Sequence, residues 1–258
     1  MADEYGVELS NNQDYVIANS NDVNYVLRSS GQISNGQFTN QGQYFSRLFM
    51  DLSSCNCPLI FFKPMTPDQR ISCIPGSNYF LTPGNIIQKQ ATVLKWANKN
   101  VGSIQYYIFD RWIPPERSEY GMQIFDSNES IIFDTGWNFM MVRAVKWLDP
   151  GYPNHDSSDP DGANWTNLGP AGAGNIAVSL PNPRGWIYAG WSTFGVMLYE
   201  CVHLTGSDNQ MVVSLVPRGE YLDMAPSQGW AHENTRSQLM AVDVSRLPLS
   251  YNQVNITS

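Results

Sequence analysis

The sequence predicts an all-β protein, made of two related antiparallel β-sandwich-like modules with long loops. Short runs of β-branched and aromatic residues alternate with clusters of Gly, Pro, Asn, Asp and Ser, which is typical of strands joined by turns. No long stretch has apolar residues at i, i+3, i+4 and i+7 between helix caps. In addition, a segment near the N-terminus recurs in the second half of the chain, which predicts a duplicated architecture.

The individual strands follow from short apolar runs bounded by turn residues. They are predicted at residues 14–18, 58–63, 91–96, 103–109, 130–133, 140–147, 186–191, 193–204, 210–216 and 237–244. Their spacing, with turns between them, fits an antiparallel sandwich or barrel. Residues 45–52 suit either a short helix or a strand. Residues 149–174 are rich in Pro, Gly, Asp and Asn and have no period, so we predict a long loop there, either an exposed connection or a docking loop.

The internal repeat aligns without a gap. Residues 4–9 read EYGVEL, and residues 119–124, which lie 115 positions later, read EYGMQI. The match continues with apolar pairs and ends at Arg28 and Arg143. Each copy is predicted to be a hairpin of strand, turn and strand, followed by a third strand that ends near the arginine. We therefore place a boundary near Pro114 and Pro115, between an N-terminal β-module, 1–116, and a C-terminal β-module, 117–258, which contains the loop at 149–174.

Composition excludes several classes of function. The 258 residues carry a net charge of −8, which counts against a nucleic-acid binder and against a protein that binds anionic membranes. No apolar run approaches the roughly 18 residues that a transmembrane helix needs. The N-terminal segment is acidic and lacks the features of a signal peptide, so we expect the chain to be made in the cytoplasm. Charged residues are only 15% and aromatic residues 12%, a balance that suits permanent subunit contacts.

The second copy of the repeat, EYGMQIFDSNESIIFDTGWNFMMVRAVKW at residues 119–147, resembles a family of tailed-bacteriophage structural proteins. These are small, β-rich minor tail proteins or fibre-associated virion proteins. The shared pattern is Tyr-Gly, an alternating apolar strand, an Asn/Asp-rich turn, two apolar residues and any residue before Asp, and then a strand that ends in Arg. The first copy departs from it at Ala18 and Asn19, and the segment LMAVDVS at residues 239–245 is similar to the ends of such proteins. The resemblance implies an all-β fold and a structural role, and it brings no catalytic residues.

The cysteines and histidines are weak candidates for chemistry. Cys55 and Cys57 are separated by one residue, which is tighter than structural zinc sites prefer. We expect buried or free thiols at Cys55, Cys57, Cys73 and Cys201, with a disulfide from Cys73 to Cys55 or Cys57 as the minor alternative. His155, His203 and His232 are scattered, and no G-x-S-x-G motif supports nucleophilic catalysis. We predict no catalytic residues, no metal site and no cofactor.

Polar clusters and tryptophans leave other kinds of functional site open. The acidic run at residues 155–162 resembles a calcium loop in composition but lacks EF-hand spacing, so a solvated turn is favoured over a weak divalent site. Two facing acids would define a glycosidase, but the sequence does not place them. Gly172 and Gly174 lack the context of a phosphate loop. The tryptophans of the second half fill a core or an interface, or alternatively stack on sugars; they are Trp165, Trp186, Trp191 and Trp230.

These observations favour a non-enzymatic structural component of a phage virion, a tail or tail-fibre-associated protein that assembles through β-rich interfaces. Its expected partners are other virion proteins and copies of itself, without direct contact to nucleic acid or membrane, and its expected location is the virion, after assembly in the host cytoplasm. The alternative is a carbohydrate-binding module for receptor or glycan recognition, and a less favoured one is a glycan hydrolase.

Overall fold

A computed structural model describes residues 8–10, 16–19, 24–41, 45–63, 69–75, 90–97, 99–153, 166–191, 194–222, 229–230 and 235–258. The described residues form twenty strands and a 3-10 turn, Asn35–Gln37, so the predicted all-β class is confirmed. The segment at 45–52, which suits either a helix or a strand, forms a strand. No stretch within these ranges is a helix long and apolar enough to cross a membrane.

The strands of the first half begin with a short hairpin and continue to residue 111. They are β1 Glu8–Ser10, β2 Val16–Asn19, β3 Tyr25–Ser34, β4 Thr39–Gln41, β5 Phe45–Asp51, β6 Leu59–Lys63, β7 Ile71–Pro75, β8 Gln90–Trp96 and β9 Ser103–Arg111.

The remaining eleven strands belong to the second half of the chain. They are β10 Gln123–Phe125, β11 Ile131–Asp134, β12 Met141–Leu148, β13 Thr166–Pro170, β14 Ile176–Ser179, β15 Gly185–Trp191, β16 Phe194–Thr205, β17 Gln210–Leu222, β18 Gly229–Trp230, β19 Ser237–Asp243 and β20 Ile256–Thr257.

The central sheet has six antiparallel strands in the order β12-β19-β14-β6-β9-β3. One flanking sheet has the order β20-β5-β8-β7, with β4 beside β5, and the other has the order β13-β17-β16-β15-β18. In the first half, β3 pairs with β9 while β5 pairs with β8. In this half, β3 thus pairs with the last strand, β9, and β5 pairs with the strand before it, β8.

The two hairpins share one pairing register. Glu8 faces Asn19 in the first hairpin, and Gln123 faces Asp134 in the second, 115 residues later. Each hairpin has its register shift at the same step, between Leu9 and Ser10 and between Ile124 and Phe125. The sequence alignment therefore corresponds to equivalent backbone pairing.

The strands that follow the hairpins also correspond. β3 pairs with β9 with a bulge between Leu27 and Ser29, and β12 pairs with β19 with a bulge between Val142 and Ala144. Arg28 and Arg143 are the residues that these bulges skip. They lie near the beginning of their strands, so the prediction that a third strand ends near each arginine was wrong. The small residues Ser29, Ser30 and Gly31 break the apolar alternation that would have indicated the continuation of β3.

Strands from both sides of residue 116 contribute to the central sheet. The two halves meet where β14 pairs with β6 in antiparallel orientation, with Val178 opposite Phe62. Outward from this junction the order is β14, β19, β12 on one side and β6, β9, β3 on the other. The predicted modules 1–116 and 117–258 thus share one sheet, with equivalent strands at its two ends.

Three buried clusters form most of the core. One lies in the first half around Leu48, Met50 and Ile104, and one lies in the second half around Ile176, Val213 and Leu239. The third contains residues of both halves, among them Phe61, Phe109, Ala177 and Val242. Burial of apolar area on this scale is the main stabilising contribution to such a fold, and the third cluster ties the halves together.

The segment 149–174, predicted to be a loop, contains strand β13. Its residues Thr166 and Asn167 pair with β17, and Ala171, which follows β13, is buried in the second cluster. The strand lies at the end of its sheet and is interrupted by a register shift before Pro170, which is where proline is tolerated in a strand. Residues 154–165 of the segment lie outside the described residues.

Candidate assembly surface

Exposed apolar side chains concentrate in one part of the chain. Ten large apolar side chains are exposed among the described residues, and nine of them lie between residues 113 and 152. They are Ile113, Tyr120, Met122, Phe125, Met141, Val142, Val145, Trp147 and Tyr152, and the tenth is Leu249. A contiguous apolar surface on a folded chain commonly marks a contact with another molecule.

Strand β12 is the centre of this region. It is the end strand of the central sheet and pairs on one side with β19. Its side chains are exposed at Met141 by 52%, at Val142 by 46%, at Val145 by 41% and at Trp147 by 64%. An end strand presents unpaired N–H and C=O groups along its length, and natural proteins usually protect such an edge with charge, bulges or a covering segment. We call residues 141–147 with their outward backbone groups the β12 edge.

The charged residues of the β12 edge are few. Arg143, at the bulge, forms an ion pair with Asp243 of β19, and its Nε lies 3.1 Å from the same carboxylate. Hydrogen bonds from Ser245 and from Arg143 lower the pKa of Asp243 to about 2. The charge of Arg143 is thus directed toward its own sheet, which leaves Lys146 as the other cation of the strand.

The hairpin of β10 and β11 supports the neighbouring part of the surface. The Asp134 carboxylate accepts hydrogen bonds from the backbone N–H of Ser118 at 2.9 Å, from that of Gly136 at 2.7 Å and from Gln123 Nε2 at 2.8 Å. Burial alone would raise the pKa of Asp134, but these bonds and one from the Ser118 hydroxyl outweigh it and lower the pKa to about 2. The ionised carboxylate therefore fixes the base of the hairpin.

One face of this hairpin packs on the first half of the chain. Phe133 stacks on Phe139 with ring centroids 4.8 Å apart, and Ile131 and Trp137 form a buried cluster with Val26 of β3. Three large apolar side chains in β10 or just before it are exposed instead: Tyr120 by 88%, Met122 by 41% and Phe125 by 49%. The hairpin is thus anchored on the first half of the chain and has exposed apolar side chains beside that contact.

Strand β3, the equivalent of β12 at the opposite end of the sheet, is covered. Its Val26 forms a bridge with Phe139, and its Ser30 forms an antiparallel bridge with Tyr251. Ser30 N–H donates to Tyr251 O at 2.8 Å, and Tyr251 N–H donates to Ser30 O at 3.0 Å. Ser30 is consequently buried. The same kind of edge is therefore closed in the first half by residues of the second.

The cysteines are free thiols, so the alternative of a disulfide from Cys73 is wrong. Burial raises the pKa of Cys73 and of Cys201 to about 12, and burial followed by the nearby Asp110 charge raises that of Cys55. Cys57 is exposed and accepts a hydrogen bond from Tyr25 Oη at 3.2 Å. Within the described ranges, no group of three or more His, Cys, Asp and Glu side chains is arranged to hold a metal ion.

Of the three histidines, the structure describes His203. His203 lies buried on β16, whereas His155, His232 and the run at 155–162 fall outside the described residues. Gly172 and Gly174 belong to a turn in which Asn209 Nδ2 donates to Gly172 O at 2.7 Å and to Gly174 O at 3.1 Å. This turn connects β13 to β14 and is held by its own chain.

The four tryptophans singled out in the sequence do not form one group in the structure. Trp186 is buried, and it packs edge to face on Trp230 with centroids 5.1 Å apart and an interplanar angle of 89°. These two rings belong to a core cluster with Leu198 and Leu215. Trp165 lies outside the described residues, and only the backbone of Trp191 is described. The exposed indole of the β12 edge, Trp147, was assigned to a strand but not to a surface.

A buried ion pair that the sequence analysis did not identify lies beside these rings. Arg184 Nη2 lies 2.7 Å from Glu200 Oε1, its Nε lies 2.9 Å from Oε2, and both side chains are almost fully buried. Arg184 Nη1 also donates to Asp149 O at 2.8 Å, and its guanidinium lies 4.2 Å from the Trp230 ring centroid. The pair holds the end of β12 against β15 and β16. A charged residue within the apolar run of β16 was the available signal.

Comparisons with protein-family models, with curated proteins and with solved structures found no match to this chain. The site therefore has to be interpreted from its own geometry.

Proposed function

We propose that the chain is a non-enzymatic structural component of a phage virion, most consistent with a tail or tail-fibre-associated protein that assembles through β-rich interfaces. The observation that carries the proposal is the β12 edge together with the exposed apolar side chains in β10 and just before it. These adjoin in sequence and contain most of the exposed large apolar side chains among the described residues. Core positions of permanent interfaces are enriched in such side chains and depleted in charge.

The resemblance of residues 119–147 to tailed-phage structural proteins supports the same role, because the motif and the exposed region coincide. Tyr120, Met122, Phe125 and the β12 edge all lie within the motif. Buried positions of the motif, such as Ile124, Phe133 and Asp134, maintain the hairpin. The motif thus contains both the residues that maintain the local fold and those that are available for contact.

The carbohydrate-binding alternative has less support. Sugar-stacking surfaces need exposed aromatic faces, whereas Trp186 and Trp230 are perpendicular and pack in a core cluster. The glycan hydrolase alternative needs two acids across a cleft. The buried carboxylates Asp110 and Asp134 are instead occupied by backbone N–H groups of their own chain.

The test is whether the chain belongs to particles. An antibody raised against the purified chain is used to probe tailed-phage particles banded on a density gradient from a lysate of the infected host. We expect the chain to band with particles and to remain after a high-salt wash, because apolar contacts resist salt. A chain found entirely in the particle-free fraction contradicts the proposal, and binding of the free chain to host glycans would then support the carbohydrate-binding alternative.

A further inference from the structure

The two ends of the central sheet are related by pseudo-symmetry, so the covered edge of β3 indicates what kind of partner the β12 edge can bind. Ser30 of β3 and Val145 of β12 occupy equivalent positions: Ser30 faces Tyr107 of β9, Val145 faces Met240 of β19, and each lies two residues after the skipped arginine. The N–H and C=O groups of Ser30 point away from β9, since both bond to Tyr251. The shared register directs the N–H and C=O groups of Val145 outward in the same way.

The edge of β3 accepts an antiparallel bridge at this position from Tyr251 of the same chain. Among the described residues, β12 pairs with β19 alone. The C-terminal segment that would supply an equivalent cover is already used, because Tyr251 bonds to β3 and β20 pairs with β5. The β12 edge thus has the backbone geometry for an antiparallel partner and keeps its apolar side chains exposed.

We infer that the partner is a second copy of this chain, whose β12 pairs antiparallel with β12 about a two-fold axis at Val145. This inference deepens the proposed structural role and rests on it. An interface of this type is isologous, since the same patch is used by both copies, and main-chain hydrogen bonds add one strand to the sheet of the other copy.

The side chains of β12 suit this pairing. With Val145 opposite Val145, Ala144 lies opposite Lys146 and Arg143 lies opposite Trp147. No like charges face each other in this register. Like charges directly opposite each other would destabilise a cross-strand pair. Arg143 meets an aromatic ring, a contact that the chain already makes at the equivalent arginine, where Arg28 lies 4.0 Å from the Trp112 ring centroid. A two-fold pairing centred on Arg143 or on Lys146 would instead place two arginines or two lysines opposite each other, so charge favours the register centred on Val145.

The two-fold axis permits a direct test by charge complementation. Val145→Lys and Val145→Glu each place like charges opposite each other, so each variant alone should sediment as a 29.0 kDa monomer. Wild type should sediment at twice that mass at a matched concentration. An equimolar mixture of the two variants should return to twice the monomer mass, because Lys and Glu then face each other. The same two substitutions at Leu249, which is exposed by 64% but lies outside the assembly surface, should leave the wild-type mass unchanged.

Far-UV circular dichroism confirms that each variant keeps its β spectrum. A wild-type monomer, a Val145 variant that still sediments at twice the mass, or a mixture that stays monomeric overturns the inference. These results are distinct from those of the particle experiment. If the chain is monomeric but bands with particles, the structural role stands and the β12 pairing does not. If the chain pairs through Val145 but is absent from particles, the β12 pairing stands and the structural role does not.

Discussion

Ser30 and Val145 occupy equivalent positions at the two ends of the central sheet, but Ser30 is fully buried whereas Val145 is 41% exposed. The difference arises because Tyr251 pairs with Ser30, whereas among the described residues β12 pairs with β19 alone. The two ends of the sheet are thus alike in register but differ in what covers them. This asymmetry is the physical basis for interpreting the β12 edge as a contact surface.

Removing the Asp134 carboxylate should destabilise the fold. Asp134→Ala leaves the N–H groups of Ser118 and Gly136 without their acceptor, and hydrogen bonds to a charged group are worth about 1.5–3 kcal/mol each before relaxation. We expect a loss of roughly 2–4 kcal/mol in the free energy of unfolding, measured by urea titration. The control Glu119→Ala changes an exposed acid next to the same hairpin and should cost less than about 0.5 kcal/mol. Equal losses in the two variants would contradict the role given to Asp134.

Stability should fall in acid because of two carboxylates. The pKa values of Asp134 and Asp243 are lowered from 3.8 to about 2 in the folded chain, so the unfolded chain binds protons more readily. Their contribution is present above pH 4 and is lost as pH falls from about 4 to about 2. Urea titrations across this range should show a steep decline that is shallower in Asp134→Asn with Asp243→Asn. An unchanged slope in the double variant would assign the acid sensitivity to other groups.

The buried ion pair should be costly to break. Glu200→Gln leaves the Arg184 charge buried without its counterion, and loss of one partner of such a pair typically costs about 3–5 kcal/mol. Arg143→Gln removes the half-exposed partner of Asp243 and should cost under about 1 kcal/mol. Thermal unfolding of both variants beside wild type measures the difference. A loss for Arg143→Gln as large as that for Glu200→Gln would contradict this ranking.

Gly31 should not tolerate a side chain. A Cβ at this position would lie 2.7 Å from the Tyr106 hydroxyl and 2.9 Å from its ring carbon Cζ, and Tyr106 is fully buried. Gly31→Ala should therefore lower stability by about 1–3 kcal/mol through overpacking. Gly36→Ala is the matched control, since nothing lies within 4 Å of a Cβ there. A melting temperature of Gly31→Ala as high as that of the control would show that Tyr106 can move aside.

Sequence reasoning identified the strand content because the apolar runs are bounded by turn residues. Each of the ten predicted strands overlaps a strand of the fold. It missed most of β3 because Ser29, Ser30 and Gly31 are small residues selected by packing against Tyr106 and Tyr251 rather than by alternation. It missed β14 because two of its four residues, Ala177 and Ser179, are small and weaken the apolar pattern. The repeat could be detected in the sequence because its two copies align without a gap, and they share their pairing register, bulge and turn.

The assembly surface could be predicted only in part. Aromatic content and low charge indicated an interface, but the exposure of Trp147 depends on β12 lying at the end of the sheet. That position follows from pairing with β19, which is nearly 100 residues away in the chain, and no local pattern encodes such a pairing. For the same reason the contact between Arg184 and Glu200 could not be foreseen, although Glu200 stands out within the apolar run of β16.

The structure of the assembled particle tests the structural role most directly. A cryo-electron microscopy map that contains this chain should show β12 paired with a strand of a neighbouring copy, with Val145 at the two-fold axis and Trp147 buried. The total area buried by the chain should exceed about 2,000 Å², as in permanent complexes. A chain that touches its neighbours only through small, hydrated patches, with the β12 edge open to solvent, would contradict the account.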